Sequence, residues 1–360
     1  MEIAIMGAGL SGLACAIQLE KHGITPTILE RRSRVGDRFI NGEILLSIFS
    51  RPVRDDIAFL ADRYQIYLHP TANISEFIVR SAHEKAKLTG PFGFSNIRGR
   101  HDNSFESQLA KQVKTKIEFH SEYTYEKLVK EFTHVIVATG DAGYAEAVQN
   151  YQTDLTVTLK GATVEGDFSR YQVMCWLDDR FAPKGYGYLI PLSEKEANIT
   201  IGFPDQEEGS LDNLKEKWSR FYEQVCADLD QNLKITDEFE INRYVIGQCS
   251  MPRIGNSFFT GNCFGSVMPL FGFGQLPAIL TGIYAADDLA GGKAYVEATE
   301  PLRQSYHRSM TLRKAFESMG DSAKDIMVRS LSGRLGEKLL TTKVDVLHLG
   351  ARLLRPFVKQ

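Results

Sequence analysis

Residues 3–30, IAIMGAGLSGLACAIQLEKHGITPTILE, constrain this chain more than any other stretch. Four apolar residues, Ile3 to Met6, run straight into Gly7, Gly9 and Gly12, then into a helical pattern carrying Ala14, Ile17 and Leu19. Gly23 precedes a second apolar run, and Glu30 closes it, 18 residues beyond Gly12. The pattern predicts a strand, a glycine turn, a helix and a second strand. In the G-x-G-x-x-G spacing each glycine has its own role. Gly7 permits the tight turn, Gly9 lets the backbone approach a pyrophosphate, and Gly12 lets the helix lie on the strand. A helix start of this kind offers free N–H groups and a positive dipole end to phosphate. Glu30 is placed to bind both hydroxyls of an adenosine ribose and to repel a 2′-phosphate. The motif alone does not separate FAD from NAD. Its position at the N-terminus favours FAD.

Two later stretches complete the picture. Residues 134–140, HVIVATG, read as a buried strand ending on Ala138, Thr139 and Gly140. Residues 258–289, FFTGNCFGSVMPLFGFGQLPAILTGIYAADDL, read as an apolar strand, a glycine turn at Gly261–Asn262, then Pro269, Gly272 and Gly274 opening a helix. This arrangement resembles flavoproteins of the para-hydroxybenzoate hydroxylase and geranylgeranyl reductase type. In those families the polar residue after the glycine bonds a ribityl hydroxyl, and the following helix points its N-terminus at the flavin ring, where it stabilises negative charge. Asn262 stands where they usually carry Asp, so binding should survive while the local charge differs.

The resemblance extends further. Residues 183–203, PKGYGYLIPLSEKEANITIGF, are similar to a geranylgeranyl reductase stretch, with Tyr188 and Ile190 in place of its usual tryptophan and phenylalanine. It implies that Tyr186, Tyr188 and Pro191 line an apolar substrate channel. Residues 98–109, RGRHDNSFESQL, match an arginine followed by a helix, which implies Arg98 or Arg100 beside the flavin pyrophosphate. The family's Cys-Gly-Glu-type segment survives only as Asn41-Gly42-Glu43. The implied cofactor contacts are thus Gly7, Gly9, Leu10, Ser11, Gly12, Glu30, Arg31, Arg100, Thr139, Gly140, Asn262, Pro269, Gly272 and Gly274. No catalytic residue and no metal ligand is assigned.

The expected fold class is α/β: a Rossmann-like FAD-binding domain interleaved with an antiparallel-sheet substrate domain, followed by C-terminal helices. Residues 1–70, 98–150 and 250–295 are expected to form the first domain, 71–97 and 151–249 the second, and 301–360 the helical segment. Expected elements include strands near 66–69, 76–80 and 93–97, a helix over 103–114 capped by Asp102 or Asn103, and one long helix at about 211–230. A net charge of −3 over 360 residues gives nucleic acid no electrostatic target. The charge is uneven, however: residues 301–360 hold 12 Lys/Arg against 5 Asp/Glu. Within them, Val346, Leu349, Leu353 and Phe357 fall on one face among basic residues, a pattern suited to peripheral contact with an anionic bilayer. Five scattered cysteines, no room for a leader before the first strand and no long apolar run predict a cytoplasmic protein, with Cys175 and Cys263 as the one pairing worth checking.

The expected activity is reduction of carbon–carbon double bonds in an isoprenoid or lipid-like substrate. A single complete dinucleotide fingerprint implies an external electron donor, NAD(P)H or a ferredoxin-like protein. Two rivals share the fold: an aromatic-hydroxylase-like flavin monooxygenase and a non-catalytic flavin-binding redox protein. Against the first, the hydroxylases' mid-chain Asp-Gly appears only reversed, as Gly166-Asp167.

Overall fold

A computed structural model describes residues 1–205, 213–332 and 336. The basic amphipathic stretch at 342–360 lies outside the described residues.

Two sheets organise the chain. The first has six strands in the order Arg253–Ile254, Ser257–Phe259, His134–Val137, Ile3–Met6, Thr27–Leu29 and Ile117–Glu118. Its central pairs are parallel, with Ile5 opposite Ile28 on one side and Ile136 on the other. Every residue of Ile3–Met6 is buried, as expected of a strand covered on both faces. On one face lie the helices Leu10–Lys21, Phe105–Ala110 and Gln275–Leu289. Leu128 and Ala145, from two short helices, cover the other face.

The second sheet has eight strands, ordered Lys234–Cys249, Tyr151–Glu165, Glu196–Pro204, Tyr186–Pro191, Gln172–Leu177, Ala72–Ser81, Lys85–Arg98 and Asn41–Leu46. All neighbours are antiparallel except Ala72–Ser81 with Gln172–Leu177. Alternation sorts its side chains by face. Met174, Trp176 and Leu189 pack against the helix Leu214–Leu229 through Trp218, Phe221 and Val225. Val173, Cys175, Tyr186, Tyr188 and Ile190 point to the other face. Gly187 lies on the helix side, where an added Cβ would sit 2.4 Å from the Phe221 ring.

The C-terminal helices, Tyr295–Glu317 and Asp321–Leu331, pack through Phe316 and Val328 against that second face. The second of them, Asp321–Leu331, is tied down by charge: fully buried Lys324 donates to Asp179 at 2.5 Å, and Ser81 and His83 hold Asp325. No helix among the described residues is long and apolar enough to cross a membrane. All five cysteines are free; Cys175 belongs to the second sheet and Cys263 to the core beneath the first, so they do not pair.

Two local expectations give way to long-range packing. Residues 66–69 form no strand, because side chains act as their neighbour: Gln112 and Gln108 each accept from one backbone N–H and donate to the carbonyl of the same residue, Tyr67 and His69 respectively. The helix expected over 103–114 is confined to Phe105–Ala110, capped by Ser104. Beyond it, the N–H groups of Lys114 and Thr115 turn aside to the Glu20 carboxylate.

Candidate functional site

The parallel strands of the first sheet end together, and the loops that follow them wall a crevice. Gly7 takes a φ of +111°, and a Cβ there would lie 2.4 Å from the Ala138 carbonyl oxygen. Gly12 admits no side chain either, since its Cβ would fall 2.0 Å from the Gly7 carbonyl oxygen. Both glycines are demanded by the fold itself. Gly9 is different. A Cβ there meets nothing within 4 Å, and its φ of −88° suits any residue. Nothing in the protein requires glycine at this point on the crevice wall, yet it begins the helix Leu10–Lys21.

Glu30 stands at the lip of the crevice, its Oε2 accepting from the Ala8 N–H and its Oε1 from the Arg32 N–H, each at 2.9 Å. Those bonds fix the carboxylate and leave it further lone pairs. On the far wall, Asn262 Nδ2 donates to the Gly140 carbonyl at 3.0 Å and to the Tyr244 hydroxyl at 2.6 Å, while its Oδ1 accepts from Ser266. Asn262 therefore joins both glycine loops to the second sheet. Gly261 lies against Ser11 and Gly282 against the Ser11 carbonyl, with added Cβ atoms at 2.6 and 2.0 Å. The helices that begin beside the crevice thus touch backbone to backbone.

The crevice opens into a cavity of about 1580 Å³. That exceeds the roughly 300–1,000 Å³ usual for one small ligand. Its far limb is apolar, walled by Phe49, Phe77, Phe271, Phe273 and Phe316, with Met319 and Met327 from the C-terminal segment. Tyr186 and Tyr188 face it together, ring centroids 6.0 Å apart. The Tyr186 hydroxyl donates to the Phe271 carbonyl and that of Tyr188 to Asn41 Oδ1 at 3.0 Å. Burial pushes both phenols above their ordinary range, although the bonds of Tyr188 to Thr200 and Asn41 pull the other way.

Between crevice and limb lies a charged knot. Arg98 bridges Glu43 at 3.1 Å and Glu106 at 2.8 Å, and Gln275 donates to Glu43 at 2.6 Å. Burial opposes the charge on Arg98, but Glu106 and then Glu43 outweigh it and raise its pKa.

Residues 5–43 match the family described as an NAD(P)-binding Rossmann-like domain. Among solved structures, the chain is similar to a geranylgeranyl bacteriochlorophyll reductase-like protein from Thermoplasma acidophilum, at 16% identity and a TM-score of 0.73, covering 97% of this chain and 95% of that one. A flavoprotein/dehydrogenase from Cytophaga hutchinsonii matches at 16% identity and a TM-score of 0.64 over all of both chains. The flavin-dependent monooxygenase PieE, solved with FAD and substrate, matches at 12% identity and a TM-score of 0.59, over 97% of this chain and 72% of its own. The chain has the fold of the FAD-dependent oxidoreductases.

Several residues fit that flavoprotein fold. The open cradle at Gly9, the anchored Glu30 carboxylate and the Oδ1 of Asn262 suit a dinucleotide with a ribityl linker. Gly7, Leu10, Ser11, Arg31, Thr139, Gly140, Pro269, Gly272 and Gly274 line the same cavity. Three expected residues stand elsewhere. Gly12 works behind the wall as a packing glycine, and Arg100 pairs with Asp237 at 2.5 Å, away from the cavity. Pro191 follows Ile190 and so falls on the opposite face from Tyr186 and Tyr188. Arg98 lines the cavity but is already taken by two carboxylates. Arg38, Tyr244 and Gln275, which no sequence motif marks, also line the cavity, as does Glu43 of the Asn41-Gly42-Glu43 segment.

Proposed function

We propose that this protein is an FAD-dependent reductase of carbon–carbon double bonds in an elongated, apolar, lipid-linked substrate of isoprenoid type. One observation carries the reading: the dinucleotide crevice and the phenylalanine-walled limb form a single continuous cavity. FAD, when bound, would supply hydride chemistry, with electrons from an external donor, nicotinamide or ferredoxin-like.

Gly7, Gly9, Glu30, Thr139, Gly140 and Asn262 would hold the cofactor, and Gly272 and Gly274 would let the chain pass close to its ring. Phe49, Phe271 and Phe273 exclude water and bind alkene carbons by apolar contact. Tyr186 and Tyr188 keep their protons, held there by burial, and so present neutral hydroxyls in an otherwise apolar wall. The knot of Glu43, Arg98 and Gln275 orients polar groups where the two parts of the cavity meet. The basic stretch at 342–360 would rest on a bilayer and bring the mouth to its substrate.

The test is direct. Purified protein should show a flavin spectrum. Reduced anaerobically and given a polyprenyl lipid, it should return product with two hydrogens added per double bond. A hydroxylated product made only with oxygen would instead select the monooxygenase reading. Co-sedimentation with anionic vesicles checks the membrane contact.

A further inference from the structure

Four residues from distant parts of the chain meet at one point of the crevice. Arg38, in the loop after Thr27–Leu29, reaches Gly140 so closely that a Cβ there would lie 3.4 Å from its Nη2. Asn262 grips the Gly140 carbonyl and also the Tyr244 hydroxyl. Tyr244 arrives from the second sheet, just past a break in register where Arg243 adopts a left-handed φ of +55°. Bulges of this kind commonly re-aim a side chain beside an active site.

Arg38 is the anomaly. It is half-buried and lines the cavity, yet among the described residues its guanidinium makes no hydrogen bond or ion pair. Its charged neighbour Arg32 is of the same sign: burial first, then Arg38, lowers the pKa of Arg32. Arg32 has its own partner, donating to the Asp37 carbonyl. Arg98 and Arg100 have theirs among carboxylates. A half-buried guanidinium without a counter-charge is costly, and its planar fork suits phosphate oxygens. Gly140 follows Thr139, whose Cα lies 3.1 Å from where a Gly7 side chain would begin. The unpaired cation is therefore one residue from the turn that carries the phosphate-binding glycines.

We infer that Arg38 anchors the diphosphate of the bound dinucleotide, and that Tyr244 closes over the linker at the same point from the opposite sheet. The inference rests on the crevice holding FAD. In this arrangement the cofactor is clasped between the two sheets and leaves only when Arg38 and Tyr244 part.

The experiment titrates cofactor-free protein with FAD and, separately, with ADP, which carries a diphosphate but no flavin or ribityl chain. R38A should weaken both ligands tenfold or more, equivalent to about 1.4 kcal/mol. It should also flatten the loss of affinity with rising salt, while leaving the melting temperature unchanged. R38K should restore part of the affinity. Y244F should speed FAD release severalfold without changing ADP affinity. R220A, an exposed arginine on Leu214–Leu229, is the charge-matched control and should behave as wild type. R38A protein that holds ADP and FAD as tightly as wild type overturns the anchor. Wild-type protein that takes ADP through Arg38 but refuses FAD removes the flavin reading and leaves the anchor standing; one that takes neither removes both.

Discussion

The replacement N262D probes the join between the two walls of the crevice. In the native protein both amide hydrogens of Asn262 are used, one on the Gly140 carbonyl at 3.0 Å and one on the Tyr244 hydroxyl at 2.6 Å. A carboxylate has no hydrogen to give. Tyr244 can answer by turning its own O–H toward the new group, so that contact survives with donor and acceptor exchanged. Gly140 cannot, and its carbonyl would face a negatively charged oxygen. Leaving one partly buried acceptor unsatisfied costs about 1–3 kcal/mol. Taking the midpoint, about 2 kcal/mol, the melting temperature should fall by roughly 2–3 °C in a chain of this size. The variant also predicts its own pH dependence. A protonated carboxyl regains one donor, so folding should raise its pKa, and the loss should shrink as pH falls through that value. Thermal unfolding of both proteins from acid to neutral pH measures this. If N262D melts with wild type throughout, or if its deficit does not vary with pH, the bond to Gly140 holds nothing together.

The other predictions address separate parts of the molecule. G9A should melt as wild type, because its Cβ meets nothing, yet should lose FAD affinity in a fluorescence titration; equal affinity would mean that no ligand passes there. Asp56, 2% exposed, has its carboxyl pushed up to about 7, chiefly by burial and against the pull of the Ser50 hydroxyl. The folded state thus holds a proton the unfolded chain has lost, so the contribution of Asp56 to stability should be greatest in acid and decline between roughly pH 4 and 7, by at most about 4 kcal/mol. D56N should remove that slope in denaturant titrations across this range. D179A would leave the Lys324 ammonium buried without its partner; a cost of about 3 kcal/mol should appear as faster hydrogen exchange within Asp321–Leu331.

What could be read in the sequence was whatever glycine spacing encodes locally. Gly7 and Gly12 dictate a backbone path within six residues and Gly9 between them leaves the wall open, so the crevice and its fold were legible before any contact was known. The second signature at Gly261 to Gly274 was legible for the same reason. The arginines were not. Arg98 and Arg100 sit beside a helix start as a phosphate ligand would, but Glu43, Glu106 and Asp237 claim them, two of these from far along the chain. Arg38 carries no motif, and its lack of a partner among the described residues is a property of the folded molecule alone. Tyr244 depends on a bulge. Pro191 could have been placed, since period-two alternation puts it opposite Tyr186 and Tyr188. The cap on Phe105–Ala110 was two or one residues later than Asp102 or Asn103 because Ser104 offers its own oxygen to the Ser107 N–H.

Strand Ser257–Phe259 lies beside His134–Val137, and Gln275–Leu289 leans on Leu10–Lys21 through Gly282. Residues 1–30 must accordingly wait for a segment more than two hundred residues further along the chain before their pocket has a second side. Until then an apolar strand edge and a bare helix flank stand open, the kind of surface that chaperones cover and aggregates exploit. Cofactor capture becomes a late event in the life of the chain, a final seal on assembly instead of a seed for it.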